Sequence, residues 1–104
     1  MTKVKITVIQ VQDPKELWGD KPPVPIAPTF GACDIHHVGQ EFIVEQDYKM
    51  PEGFCHWSWY GVHPAVRMLL FGADYPWAIE KGSAVVCCND GLRPVIYKLE
   101  RIEE

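Results

Sequence analysis

Hydrophobic and polar residues alternate from the start of the chain. In residues 3–11 (KVKITVIQV), Val4, Ile6 and Val8 fall on one side and Lys3, Lys5 and Thr7 on the other. That period of two is the signature of a half-buried strand. Ile9 and Val11 interrupt the polar side, which predicts a far end covered on both faces. A second short run, residues 41–45 (EFIVE), follows Val38-Gly39, and residues 47–53 with Pro51 read as a turn. The period then changes. Residues 53–71 (GFCHWSWYGVHPAVRMLLF) repeat apolar positions at helical spacing, and Gly72 is placed to close the helix in a left-handed cap. Pro64 removes a donor and disfavours helical backbone at His63. The segment therefore either kinks there or divides into two short helices, the second opening at Pro64. Residues 83–88 and 93–102 are β-rich runs around Asn89-Asp90-Gly91, a tight-turn signal, and predict a hairpin.

Residues 12–40 carry no such period. Lys21-Pro22-Pro23-Val24-Pro25, with Pro14 and Pro28 on either side, favours extended polyproline-like backbone. Trp18, Ile26 and Phe30 are the residues able to pin this stretch to the body or to a partner. A connection of this length is either a functional lid or a surface insertion. Together the elements predict an α+β fold in one domain over residues 1–104. It has about four mainly antiparallel strands, with room to curl toward a small barrel-like sheet, and one kinked helical segment packed on them. Residues 12–40 form a long Pro-rich loop between the first two strands.

Composition narrows the partners. At 104 residues, 47% apolar and 23% charged, the chain has enough apolar surface for one core. The net charge of -4, with ten scattered basic residues and the acidic tail 100–104, offers no basic stripe and argues against a nucleic-acid partner. No apolar run is long enough to span a bilayer, and no apolar leader follows Met1. The expectation is a cytoplasmic protein without a membrane partner, whose thiols stay reduced.

The candidate chemistry lies in four cysteines and four histidines grouped as Cys33/His36/His37, Cys55/His56/His63 and Cys87/Cys88. Helical spacing sorts residues 55–70 into two faces. Cys55, Trp59, Val62, Val66, Leu69 and Leu70 share an apolar stripe, and His56, Tyr60, His63 and Arg67 share the next. The second row reads either as a ligand-binding surface for an anionic or aromatic small molecule, or as an ordinary solvated face. Strand alternation sends Cys87 and Cys88 to opposite faces, so only one of them can meet Cys55. Cys33, His36, Cys55 and Cys88 then make a Cys3His set. Such a set suits zinc or iron, with an iron–sulfur centre ranking behind a single ion. There is no C-x2-C knuckle, and buried inert cysteine is the competing reading. A cofactor-free enzyme using a Cys/His pair, with Cys33 beside His36 and His37, is a further alternative. So is an accessory or interaction module of a larger enzyme system, resting on the Pro-rich loop and Trp18. Trp57, Trp59, Tyr60, Tyr75 and Trp77 line either a pocket for a planar ligand or simply the core and its rim. A homodimer or a partner enzyme subunit is compatible with a small sheet that must hide an edge.

Several short segments match a wider pattern: Val38-Gly39-x-x-Phe42, Gly53-Phe54-Cys55, Phe71-Gly72, Cys88-x-Asp90 and Pro94-Val95, spread over residues 33–102. In these the chain resembles a small family of functionally uncharacterised bacterial and archaeal proteins of about this length. In that family a Cys-Pro-Asp tripeptide stands where this chain has Cys88-Asn89-Asp90, so here the proline is lost and Cys87 is added. The insertion around Trp18 to Pro28 is also longer. The resemblance implies Cys55 and Cys88 as the positions that matter, and it implies no substrate.

Overall fold

The structure is a computed structural model and describes residues 1–103. Its elements are β1 (Thr2–Val11), α1 (Pro14–Trp18), β2 (Glu41–Val44), α2 (His56–Leu70), β3 (Ser83–Cys87) and β4 (Val95–Glu103). The four strands pair antiparallel in one sheet of order β2-β1-β4-β3, so the class is α+β. The sheet stays open. Its edges, β2 and β3, are only four and five residues long, which leaves too little ladder to close a barrel.

β1 follows its alternation: Val4, Ile6 and Val8 are buried against the helix side, while Lys3, Lys5 and Thr7 face the other way. On that open face Lys5 reaches both Glu41 and Glu100 at 3.8 Å, exposed pairs that contribute little. The far end differs from expectation. Val8 faces Tyr97 and Gln10 faces Ile96, so Ile9 is the extra residue of a bulge. Ile9 is exposed and Val11 turns back to the core. The break in alternation marks the bulge, not two-sided burial.

α2 packs Val62, Ala65, Val66, Leu69 and Leu70 onto Val4, Ile6, Val8, Val44, Ala84, Val95 and Leu99. Each fully buried Val or Leu stabilises the fold by about 1.5–3 kcal/mol relative to exposure. The helix runs unbroken through Pro64, so the two-helix alternative falls. Pro64 lies on the exposed side, where the Tyr60 carbonyl that it cannot serve has water as a substitute. Gly72, at φ 85°, ends the helix as the sequence predicts. Gly72 N–H donates to Leu69 O and Ala73 N–H to Met68 O, the paired bonds of a Schellman cap. Arg101 of β4 donates to the carbonyls of Leu69 (3.2 Å) and Ala73 (3.0 Å) and to Asp74, tying the helix end to the sheet. The Gly82 N–H, then Arg101, hold the Asp74 carboxyl below the ordinary carboxylate value against the opposing effect of burial.

Two local expectations are corrected. Residues 14–18 are helical: Asp13 accepts the Lys15 N–H at 2.8 Å and Pro14 opens the helix. The β3–β4 connection is also longer than a tight turn, covering residues 88–94. A two-residue type I′ turn needs positive φ at both central positions, and none of Asn89, Asp90 and Gly91 has it. Instead the Asp90 carboxylate folds the loop by accepting from the Leu92 N–H (3.0 Å) and from Arg93 Nε (3.3 Å).

Candidate functional site

Three chain segments far apart in sequence meet at the amino-terminal end of α2. Each brings a cysteine: Cys33 from the long loop, Cys55 at the helix N-cap and Cys88 just beyond β3. All three are free thiols, partly buried, and they line one cavity of about 60 Å3. Ile35, Trp57 and Val95 supply its apolar wall, and Ser58, Asp90 and Arg93 its polar one.

Local bonds place each thiol. Cys55 precedes a helix whose first turn has no acidic residue and no side-chain cap. This end of α2 therefore presents backbone N–H groups and the positive end of its dipole. Cys88 is set by the start of β4: its N–H donates to Val95 O at 2.9 Å, and its Sγ accepts the Val95 N–H at 3.2 Å. Asn89 Nδ2 donates to Trp57 O at 2.7 Å, which docks the Cys88 loop on the helix. Cys33 is brought in by Arg93, which stacks over Phe30 at 4.3 Å and donates to Gly31 O at 2.9 Å. Trp18 Nε1–H donates to Leu92 O at 3.2 Å, so the Pro-rich loop is fastened to the β3–β4 loop at a second point.

Tyr97 lies beneath this arrangement, fully buried, with its hydroxyl donating to Ser58 Oγ at 2.9 Å. Burial pushes the phenol far above its ordinary value. The Ser58 bond opposes that shift, and the nearby Cys88, Cys55 and Cys33 add to it.

His36 does not join them, which corrects the Cys3His set. Its Nε2 accepts the Cys55 N–H at 3.2 Å and its Nδ1 lies 2.9 Å from Gln40 Oε1. A backbone N–H only donates, so Nε2 is the acceptor and Nδ1 carries the proton. Both nitrogens are occupied, and the ring is buried among Phe42, Phe54 and Tyr97. Burial lowers its pKa, the Gln40 bond works against this and His37 adds to it, so the imidazole stays neutral. Among the described residues no group of three or more His, Cys, Asp or Glu side chains is arranged to hold a metal ion. Cys87 is exposed and stands outside the pocket.

The row His56, Tyr60, His63 and Arg67 divides. His56 and Tyr60 are exposed, whereas His63 stacks on Trp59 with ring centroids 4.8 Å apart. His63 Nε2 is buried with no hydrogen-bond partner among the described residues, and burial, then Arg67, lowers the pKa of the ring. Arg67 turns to the Tyr48 and Phe71 rings, 4.4 and 5.4 Å from its guanidinium carbon. None of the four lines the thiol pocket. The aromatic set also separates: Trp57 walls the thiol pocket, while Tyr75 and Trp77 stack at 4.7 Å beside Val85 and Lys98. Sequence reasoning missed Ser58, Asp90, Arg93 and Tyr97. The signals on offer were the Cys88-x-Asp90 segment and the Asp90/Arg93 spacing, an i,i+3 charge pair in a turn.

No family model, no curated protein and no solved structure matches the chain. Donors, charges and cavity size are therefore what bear on its chemistry.

Proposed function

We propose that the protein binds one soft metal ion, zinc or iron(II), as a thiolate complex of Cys33, Cys55 and Cys88. The observation that carries this reading is three thiols from three separate segments around one cavity of about 60 Å3. Organic ligands occupy pockets of roughly 300–1,000 Å3, so this volume suits an ion. Thiolate sulfur selects soft and borderline metals, with zinc–sulfur bonds of about 2.3 Å. As the side chains stand, no three among the described residues are arranged around an ion, so ligation would require the sulfurs to turn inward about their Cα–Cβ bonds between staggered wells. With His36 committed elsewhere, the fourth position falls to water or an exogenous ligand, as in open zinc sites. The amino-terminal end of α2 would offset part of the negative charge of a tris-thiolate complex, Arg93 being already paired with Asp90.

Untagged protein, reduced and kept anaerobic, tests this by titration with zinc and with cobalt(II) as a coloured substitute. The expected result is one equivalent bound, a thiolate-to-cobalt charge-transfer band, and loss of both on Cys88→Ser or Cys55→Ser. Uptake below about a tenth of an equivalent with no such band removes the proposal.

A further inference from the structure

We infer that β3 is a dimerisation edge, pairing antiparallel with β3 of a second copy about a two-fold axis at Val85. The hydrogen-bond phase of the strand carries the argument. Arg101 N–H donates to Gly82 O, and Cys88 N–H donates to Val95 O. Backbone direction alternates along a strand, so residues 82, 84, 86 and 88 address β4. Ser83, Val85 and Cys87 then turn their N–H and C=O groups outward, and β3 has no other ladder neighbour among the described residues. A two-fold at Val85 sets Ser83 opposite Cys87 of the partner copy and Val85 opposite its own equivalent. All of these positions are outward-facing, so each pair exchanges two backbone bonds.

The two sheet edges differ in how they treat a like copy. β2 carries Glu41 at its start and is followed by Glu45, both exposed, so self-pairing there would bring carboxylates together. β3 (SAVVC) has no charge and no proline, the usual guards of a free edge. Its flanks carry both signs: Glu80 and Lys81 precede it, and Asp90, held by Arg93 of its own chain, follows. The Val85 register places Lys81 opposite Asn89 and Glu80 opposite Asp90 of the other copy, so the attraction of the strand for its like lies in the uncharged residues 83–87. Within the paired residues 83–87 two copies therefore meet with no like charges opposed, unlike Glu41 and Glu45 at β2. Apolar surface gathers beside it, with Val85 63%, Trp77 75% and Ile79 99% exposed. Tyr75, Trp77 and Val85 also wall a groove of about 530 Å3 alongside the strand. The occupant argued here is a second copy of this chain, and the pairing extends the sheet to eight strands.

Light scattering on the eluting peak of the full chain, between about 10 and 200 μM, tests the pairing. The wild type is expected at twice its 11.9 kDa mass and Val85→Lys at the single mass, because it places two ammonium groups on the axis. Val85→Pro, which deletes an outward N–H, is expected to behave as Val85→Lys does, and far-UV circular dichroism checks that both variants keep the fold. Ile43→Lys, on the opposite edge strand, is expected to remain dimeric. A wild type at 11.9 kDa throughout overturns the inference, whether or not another protein adds a strand to β3. So does a dimer that survives folded Val85→Lys or is broken by Ile43→Lys.

Discussion

His36 directs both ring nitrogens at its own chain, holding the Cys55 N–H on one side and Gln40 on the other. That bridge fixes where the first turn of α2 begins, and it requires a neutral ring. The consequence appears in the pH dependence of stability. In the unfolded chain His36 and His63 titrate near the ordinary 6.5, and in the folded chain both lie lower. Between those values the unfolded state binds more protons, so stability is fully present above about pH 6.5 and is lost as pH falls toward the folded values. Urea midpoints are expected to rise between about pH 5 and 7, and a flat profile would contradict neutral burial. His63 separates the two contributions. Its Nε2 is buried without a partner among the described residues, a condition that costs about 1–3 kcal/mol. His63→Phe keeps the stack on Trp59 and removes the orphan, so stability at pH 7 is expected to be unchanged or to rise by about 1 kcal/mol. The slope that persists in this variant then reports His36. Neither assignment was legible in the sequence. The chain shows that histidines lie near cysteines, but Cys55 N–H is 19 positions from His36, and which nitrogen meets it is decided by packing among Phe42, Phe54 and Tyr97.

At the scale of elements, the hydrophobic period was enough to find β1, β2 and α2, because each has one face that must be buried. It failed where side chains override a local rule. Asn89-Asp90-Gly91 carries the composition of a tight hairpin turn, yet Asn89 reaches across to Trp57 O and Asp90 folds the loop around Arg93. α1 was missed for a different reason: the prolines of residues 14–28 outweighed the Asp13-Pro14 start signal. The Asn89 contact is itself testable through Gly61, which it crosses. A methyl group on Gly61 would collide with Asn89 Oδ1. Gly61→Ala therefore displaces Asn89 from Trp57 and loosens the loop that holds Cys88, although alanine alone favours helix by about 1 kcal/mol. Affinity for cobalt(II) is expected to fall about tenfold or more, as for other groups that orient a ligand. A double-mutant cycle identifies the route: added to Asn89→Ala, Gly61→Ala is expected to cause no further loss. Additive losses would show that Gly61 acts by some other path.

For the whole molecule, the α+β class could be read from the sequence and the strand order could not. β1 and β4 pair the two ends of the chain, from Thr2 with Glu103 to Val11 with Val95, and no local pattern announces a ladder of that separation. The same holds for the thiols. Residue types suggested that Cys33, Cys55 and Cys88 belong together, but their meeting depends on Arg93, Asn89 and Val95, each anchoring a different segment. Those segments are the long loop, the helix start and the β3–β4 loop, and the sheet joins them only indirectly. An ion held by all three would bind the folded chain far better than the unfolded one. At a free zinc concentration of about 100 times Kd this adds about 2.7 kcal/mol. For a domain of this size that corresponds to a rise in Tm of roughly 10 °C or more. Thermal unfolding of reduced protein with and without zinc is expected to show the rise, and Cys33→Ser, Cys55→Ser and Cys88→Ser each to abolish it. A variant that still shows the full shift would remove that cysteine from the site. Equal shifts in all three variants would place the zinc somewhere other than the pocket at the start of α2.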